Sequence, residues 1–377
     1  VNPASAVEDY VDFRWISSSN FAKKNLDKYG IEAASFINAS EQPFFLTVNY
    51  PDAHWPLQDQ VGGRPAVISK QADVQPMSYV AFDNARLRVH LAGFYNCMAR
   101  LDECVGDLLK VLSDSGKAKN TLVIYMGDHG AQFARGKVFV TEGGLRIPLL
   151  VRWPEHAQSG LVSDQLVSTI DLLPTIVAAA GGRLPDGVPG KNLRGVLAGN
   201  TTPLRTHLFA ERNCDSADLH FPQRSVRDGR YKLIKTMLND RADPGAQKCL
   251  NNGASNFRGS PTHNELVGCD SLTQKIYDTW LNPPHIQLYD LLNDPNEFFD
   301  LADDPAHETV KAGLTSELER WQVDTDDRMR HPAFLKRLTA ENDECRKAGR
   351  RAPEGGWQYS QYLGPDSVVN PVVLHAE

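Results

Sequence analysis

Apolar and polar positions follow two different rhythms along this chain. The run Phe44-Phe-Leu-Thr-Val-Asn-Tyr50 is apolar and β-branched and stops at Pro51, the pattern of a strand. From about Asp83 to Ser115, residues Leu87, Leu91, Phe94, Met98, Leu101, Val105, Leu108 and Leu112 recur at spacings of four and three, which predicts one long helix. Those spacings also fit a coiled-coil seam, but Val89, Ala92, Tyr95 and Leu109 widen the stripe to that of a helix packed on a sheet. Gly116 ends the helix. Strands are predicted at Thr121–Met126 and Ile147–Trp153, and a short helix at Asp171–Ala180, closed by Gly181-Gly182.

Long apolar strands alternating with helices imply an α/β fold over residues 1–200, a mostly parallel sheet flanked by helices. Near residue 200 the rhythm changes. His207–Ala210, Gln223–Asp228 and Arg230–Lys235 read as shorter strands, with Asp228-Gly229 as a hairpin signal. A long polar stretch over 236–285 precedes a strand at Gln287–Asp290 and a closing helix at His307–Val323. Residues 201–330 therefore read as a smaller C-terminal α+β subdomain, an antiparallel sheet plus a helix. The polar, Pro- and Gly-rich residues 331–377 read as a surface tail.

Composition narrows the function. The 377 residues are 41% hydrophobic and 23% charged, with a net charge of -7. An acidic balance argues against a nucleic-acid partner, which needs a basic surface. No run approaches the roughly 18 apolar residues of a membrane span. Six cysteines are too few for a disulfide scaffold of this length. Cys97 and Cys104, seven apart on a helix, would have Cα atoms on the order of 10 Å apart, too far to bridge. Cys249 and Cys269 bracket a loop and could pair. The triplets Asn38-Ala-Ser and Asn200-Thr-Thr would suit a secreted or lysosomal protein, and the first residues carry no leader pattern, so compartment stays open.

Three places carry candidate chemistry. Gly127-Asp128-His129-Gly130 follows the second strand, where open α/β sheets collect ligands; a carboxylate beside an imidazole can complete a divalent-ion shell or orient a base, or can simply form a turn. Nine residues on, Lys137 stands in a glycine-rich stretch reaching Thr141-Glu-Gly-Gly-Leu-Arg-Ile-Pro148, and can neutralise an anionic oxygen. His54, in Asn49-Tyr-Pro-Asp-Ala-His-Trp-Pro56 at the end of the first strand, can donate a proton near neutral pH.

In this order, the segments resemble the sulfatases of the alkaline-phosphatase-like superfamily. The matching pieces are the strand ending in His54, Gly-Asp128-His129-Gly, Lys137, Glu142-Gly-Gly-Leu-Arg-Ile-Pro and Asp171-Leu-Leu-Pro-Thr175. Gln287-Leu-Tyr-Asp-Leu-Leu-Asn-Asp-Pro-Asn-Glu297 with Asp300-Leu-Ala-Asp-Asp-Pro305 matches the family's C-terminal signature. Pro222–Ile234, containing Arg230-Tyr-Lys-Leu-Ile234, and Leu318–Asp326 look most like the heparan N-sulfatase (sulfamidase) branch and related bacterial sulfatases. His129 and Lys137 depart from that branch, which has Asn and Arg there. The family's Cys/Ser-x-Pro/Ala-x-Arg motif, whose first residue becomes formylglycine, does not occur, nor do its upstream Asp-Asp pair and Lys-x-His segment; Cys97-Met-Ala-Arg100 lacks the spacing. The expectation is that an N-terminal part on the order of a hundred residues lies upstream, and that the chain by itself is inactive.

The resemblance implies roles. Asp128 and His129 would help hold a divalent cation, Ca²⁺ in the family, and His129 would alternatively hydrogen-bond the nucleophile. Lys137 would stabilise sulfate oxygens, and His54 would protonate the departing oxygen or nitrogen. Glu211, His220 and Arg224 of the smaller subdomain are candidate substrate contacts. The implied substrate is a sulfated saccharide, heparan-type preferred, cleaved as ester or sulfamate; a homodimer is compatible, and a periplasmic, secreted or lysosomal location is favoured. Two alternatives stay open: a phosphodiesterase or phosphonate hydrolase of the same superfamily, and a non-catalytic glycan-binding descendant.

Overall fold

The long helix forms where its periodicity requires, two residues inside its expected start and one inside its expected end. The computed structural model describes residue 23 and residues 25–213, 216–252, 259–354 and 356–359. In chain order these hold α1 (Asp27–Ala39), α2 (Ala85–Asp114), β1 (Val123–Met126), the one-turn α3 (Glu142–Leu145), β2 (Leu149–Arg152), α4 (Leu172–Ala179) and α5 (Arg194–Leu197). Then come β3 (Leu208–Arg212), β4 (Gln223–Arg227), β5 (Tyr231–Thr236), α6 (Pro244–Asn252), α7 (His263–Leu266), α8 (Ser271–Leu281), β6 (Ile286–Asp290), α9 (Glu308–Asp324) and α10 (Pro332–Lys347). The chain divides into two compact units. One comprises residues up to 77 with 82–123 and 152–154, and the other 78–81, 124–151 and 155 onward, so no boundary falls at residue 200.

In the first unit Asn84 caps α2 by accepting a hydrogen bond from the Leu87 amide at 2.8 Å. The deeply buried face of α2 is not the expected seam. It runs through Leu87, Leu91, Asn96, Cys97, Arg100 and Cys104, while Val89 and Tyr95, taken as part of the stripe, are exposed. Polar residues enter this face because each has a partner. Arg100 grips buried Asp52 through Nε at 3.0 Å and Nη2 at 2.8 Å, and Lys23 reaches the same carboxylate at 3.1 Å. Asn96 accepts from the Ser69 amide at 2.7 Å.

The strand expected at 44–50 is a second difference. Half-buried and exposed residues do alternate from Phe44 to Tyr50, and Val48 and Tyr50 pack against Leu26, Tyr29 and Cys104. No ladder forms there among the described residues. A periodic sequence supplies a face, whereas a strand also needs a neighbour for its N–H and C=O groups.

In the second unit β1 and β2 pair with each other, and β3-β4-β5-β6 form an antiparallel sheet in that order. The β4–β5 hairpin pairs Arg227 with Lys232 and turns at Asp228-Gly229, as its sequence predicts. The Asp228 carboxylate closes the turn by accepting from the amides of Arg230 at 2.7 Å and Tyr231 at 2.6 Å. Both faces of this sheet are covered. On one, Val226, Leu233 and Leu288 meet Leu314 and Leu318 of α9. On the other, Ile234 and Tyr289 meet Val140 from the loop after β1. That second face is what positions the candidate site.

Two readings are corrected. The polar stretch 236–285 contains α6, α7 and α8, and α8 buries Ile276, Tyr277 and Trp280. Residues 332–347 are no surface tail but helix α10, which buries Phe334, Leu338 and Cys345. Its apolar residues, spaced four and seven apart among many charges, are too sparse to stand out in the sequence. The remainder of the tail, 360–377, and the N-terminal residues 1–22 lie outside the described residues. Cys249 and Cys269 are both free thiols, as are Cys97 and Cys104. No helix among the described residues is long and apolar enough to cross a membrane.

Replacing Phe334 with Ala should cost about 3–5 kcal/mol of unfolding free energy in urea titration, as for other buried aromatics. A residue on a loose tail would give no measurable change.

Candidate active site

The loop from Gly127 to Arg146 leaves β1 and returns to β2, and its backbone is folded onto itself. The Gly130 amide donates to the Gly144 carbonyl at 2.9 Å, and the Lys137 amide to Ala131 at 2.9 Å. A β-carbon on Gly130 would overlap the Gly143 carbonyl, and one on Gly144 would overlap those of Phe139 and Gly136. Only residues without side chains allow main chain to pass main chain this closely. Lys137, half-buried, lies between two left-handed residues, Arg135 at φ 62° and Val138 at φ 87°. A β-branched residue at positive φ is a true outlier, and such strain persists only where its surroundings impose it, commonly at functional sites.

At the mouth of this loop the Asp128 side chain is 85% exposed. One of its oxygens accepts from the His129 amide at 3.0 Å. The His129 ring has Nδ1 2.8 Å from the Gly130 carbonyl, which can only accept, so Nδ1 carries a proton. Its Nε2 then faces Asp128 Oδ2 at 3.3 Å. In the neutral ring, two lone pairs would point at each other. A cation shared by the two groups would relieve this, and a carboxylate with an imidazole can serve as two of its ligands. Among the described residues no group of three or more His, Cys, Asp or Glu is placed to hold a metal.

His54 lies in the first unit, where its Nδ1 is 2.7 Å from the Trp55 carbonyl. A carbonyl can only accept, so Nδ1 carries a proton there. The His54 carbonyl accepts from Lys23 at 2.7 Å, which ties this turn to the Asp52–Arg100 network.

The three candidates of the smaller subdomain separate. Glu211 on β3 is exposed, 3.4 Å from Arg224. Arg224 on β4 is buried, forked onto Asp327 at 2.8 Å through both Nε and Nη2, with Nη1 on the carbonyls of Arg212 and Gln223 and on Asn213. A guanidinium so enclosed has nothing left for a uronate. His220 is buried with Nε2 3.1 Å from Thr339 of α10, and its Nδ1 has no partner among the described residues. Burial, aided by Arg241, Arg212 and Arg346 against Asp343, pushes its pKa down to about 4. Arg224 ties β4 to the segment after α9, and His220 ties the turn before β4 to α10. Asp171, which opens α4, is likewise structural: it is buried, gripped by Arg205, and accepts from the amides of Ser168 and Lys191 at 2.8 Å.

Sequence reasoning passed over four charged residues behind the loop. Glu142, at the start of α3, meets Lys232 of β5 at 3.0 Å and Arg227 of β4 at 2.6 Å, and Lys232 also meets Glu297 at 2.8 Å. The signal was present, because Glu142, Lys232 and Glu297 each stand inside a motif quoted for the family resemblance.

With this geometry in view, comparison with known proteins is specific. The family model described as Sulfatase matches residues 14–182, and the one described as N-sulphoglucosamine sulphohydrolase, C-terminal, matches 127–243. Both include the Gly127–Arg146 loop, and together they match residues 14–243 of this chain to sulfatase sequences. It is 28% identical over 298 residues to an ulvan-active sulfatase of Formosa agariphila, covering 76% of this chain and 53% of that protein. It is 27% identical over 338 residues to the N-sulphoglucosamine sulphohydrolase of Homo sapiens, covering 81% and 65%. The chain thus spans between half and two thirds of the length of these relatives. A 2-O GAG sulfatase superposes with a TM-score of 0.56 at 19% identity, over 85% of this chain and 68% of the other, which shows the α/β fold with its antiparallel C-terminal subdomain.

His220 makes stability depend on acid. Its folded pKa of about 4 lies below the ordinary imidazole value of 6.5, so the unfolded chain takes up the proton first and stability falls as pH drops from 6.5 towards 4. The loss should be on the order of 3 kcal/mol. Urea unfolding of His220→Gln against the parent should show that slope reduced; equal slopes would contradict the assignment.

Proposed function

We propose that this protein hydrolyses sulfate esters or sulfamates on sugars, with N-sulfated glucosamine units of heparan type as the preferred substrate. One observation carries the reading: the strained, glycine-packed loop after β1, which bears the Asp128–His129 donor pair and Lys137. The match of residues 14–182 to the Sulfatase model supports the reaction, and the likeness of residues 127–243 to the C-terminal part of N-sulphoglucosamine sulphohydrolase supports the substrate.

In this reading Asp128 and His129 hold a divalent cation, Ca²⁺ by family resemblance, together with ligands outside the described residues. A cation held there would supply charge withdrawal from sulfate oxygens, chemistry that the family pairs with a formylglycine nucleophile. No formylglycine motif occurs in this chain. Lys137 neutralises a sulfate oxygen as a compact point charge, a stabilisation that grows as the sulfur–oxygen or sulfur–nitrogen bond breaks. His54 gives the Nε2 proton to the departing oxygen or nitrogen, its ring held by the Nδ1 bond to Trp55. Glu211, the exposed member of its trio, contacts a sugar hydroxyl or amine.

The test is sulfate release from N-sulfoglucosamine and an aryl sulfate by protein expressed from its whole reading frame with Ca²⁺, with an aryl phosphodiester as control. Lys137→Ala should lower kcat by about 10²–10³-fold without shifting the unfolding midpoint, and Asp128→Ala should abolish the gain from added Ca²⁺. Turnover of the phosphodiester alone, or no sulfate from either substrate, would overturn the reading.

A further inference from the structure

Three motifs far apart in the sequence meet behind the Gly127–Arg146 loop. Glu142 comes from Glu-Gly-Gly-Leu-Arg-Ile-Pro, Lys232 from Arg-Tyr-Lys-Leu-Ile, and Glu297 from the segment Gln287–Glu297. The Lys232 and Glu297 side chains are each 1% exposed, and Lys232 Nζ lies between the two carboxylates, 3.0 Å from Glu142 and 2.8 Å from Glu297. Glu297 reaches across with its other oxygen to accept from the Glu142 amide at 2.6 Å. Arg135, buried in the same loop, donates to the carbonyls of Asn296 at 2.8 Å and Glu297 at 2.7 Å. Burial raises the Glu142 pKa, but Lys232 and Arg227 outweigh it and hold the carboxyl below its ordinary range, so it stays charged.

A buried ion network is a poor stabiliser, because desolvation takes back most of the attraction; what it offers is one register, since each charge is costly anywhere else. That register is passed on mechanically. Glu142 is followed by Gly143 and Gly144, whose backbone abuts Gly130, Gly136 and Phe139 without room for a β-carbon. Fixing Glu142 therefore fixes both neighbours of the chemistry, the segment beside Asp128-His129 and the one beside Lys137.

We infer that Glu142, Lys232 and Glu297 are positioning residues: a buried ionic lock that joins the antiparallel sheet to the site loop and sets the placement of Lys137 for catalysis. This rests on the proposed role of the loop in sulfate hydrolysis. Single variants leave an unpaired buried charge and risk misfolding, so the informative protein is the neutral triple Lys232→Met/Glu142→Gln/Glu297→Gln, with Lys232→Arg as the conservative control.

Two readouts are taken on protein from the whole reading frame: amide hydrogen exchange, and kcat and KM for an aryl sulfate. In the folded triple variant, amides of 130–145 should exchange at least about tenfold faster while those of β3–β6 keep their rates. At the same time kcat should fall at least about tenfold with KM changed less than about twofold, and Lys232→Arg should restore most of the rate. Loop amides exchanging at the parental rate would overturn the lock whatever happens to kcat. Faster loop amides with an unchanged kcat would overturn the catalytic role of the placement. A parent that releases no sulfate defeats the functional reading instead, and the exchange data still report on the lock.

Discussion

Main chain packed on main chain is the constraint from which the site follows. At Gly130 and Gly144 the loop after β1 passes so close to itself that no side chain fits. At these two points the loop's freedom is removed by contact between peptide groups. Val138 pays the conformational penalty in its left-handed backbone. The result is a stiff loop whose sequence carries Asp128, His129 and Lys137.

The antiparallel sheet is the platform beneath this turn. Its α9 face is an ordinary apolar core built on Val226, Leu233 and Leu288. Its other face mixes Ile234 and Tyr289 with Lys232, so the loop is held there by packing against Val140 and by paired charges together. Packing supplies affinity and charge supplies register. The same division holds in the first unit, where Arg100 and Lys23 converge on Asp52 beneath the His54 turn. In both units the residues expected to do chemistry stand on loops, and buried ion pairs sit directly behind them.

Much of this was legible in the sequence. Regular periodicity gave α2, α4 and α9 to within a few residues, and short alternating runs gave β4, β5 and β6. The α10 helix was not legible, because Phe334 and Leu338 are isolated among charges and only the partners at Met329 and His220 make a buried face of them. Residues 44–50 misled in the other direction: the alternation is there without a neighbouring strand. For the site, Asp128, His129 and Lys137 were visible from glycine-rich context and family likeness. Arg224 and His220 were chosen for their chemical type, and type does not reveal burial; the fork onto Asp327 that occupies Arg224 joins residues 103 apart in sequence. The Glu142–Lys232–Glu297 cluster escaped for the same reason, since proximity across such distances is a property of the fold.

The central claim is that the folded loop delivers Asp128 and Lys137 to one anion. It is tested most directly by a diffraction structure of protein from the whole reading frame, crystallised with Ca²⁺ and a non-hydrolysable sulfate ester analogue. The account predicts Lys137 Nζ within about 3 Å of a sulfate oxygen and the cation bound to Asp128 on the same sulfate group. An analogue bound elsewhere, with Lys137 turned away and Asp128 without the ion, would contradict it.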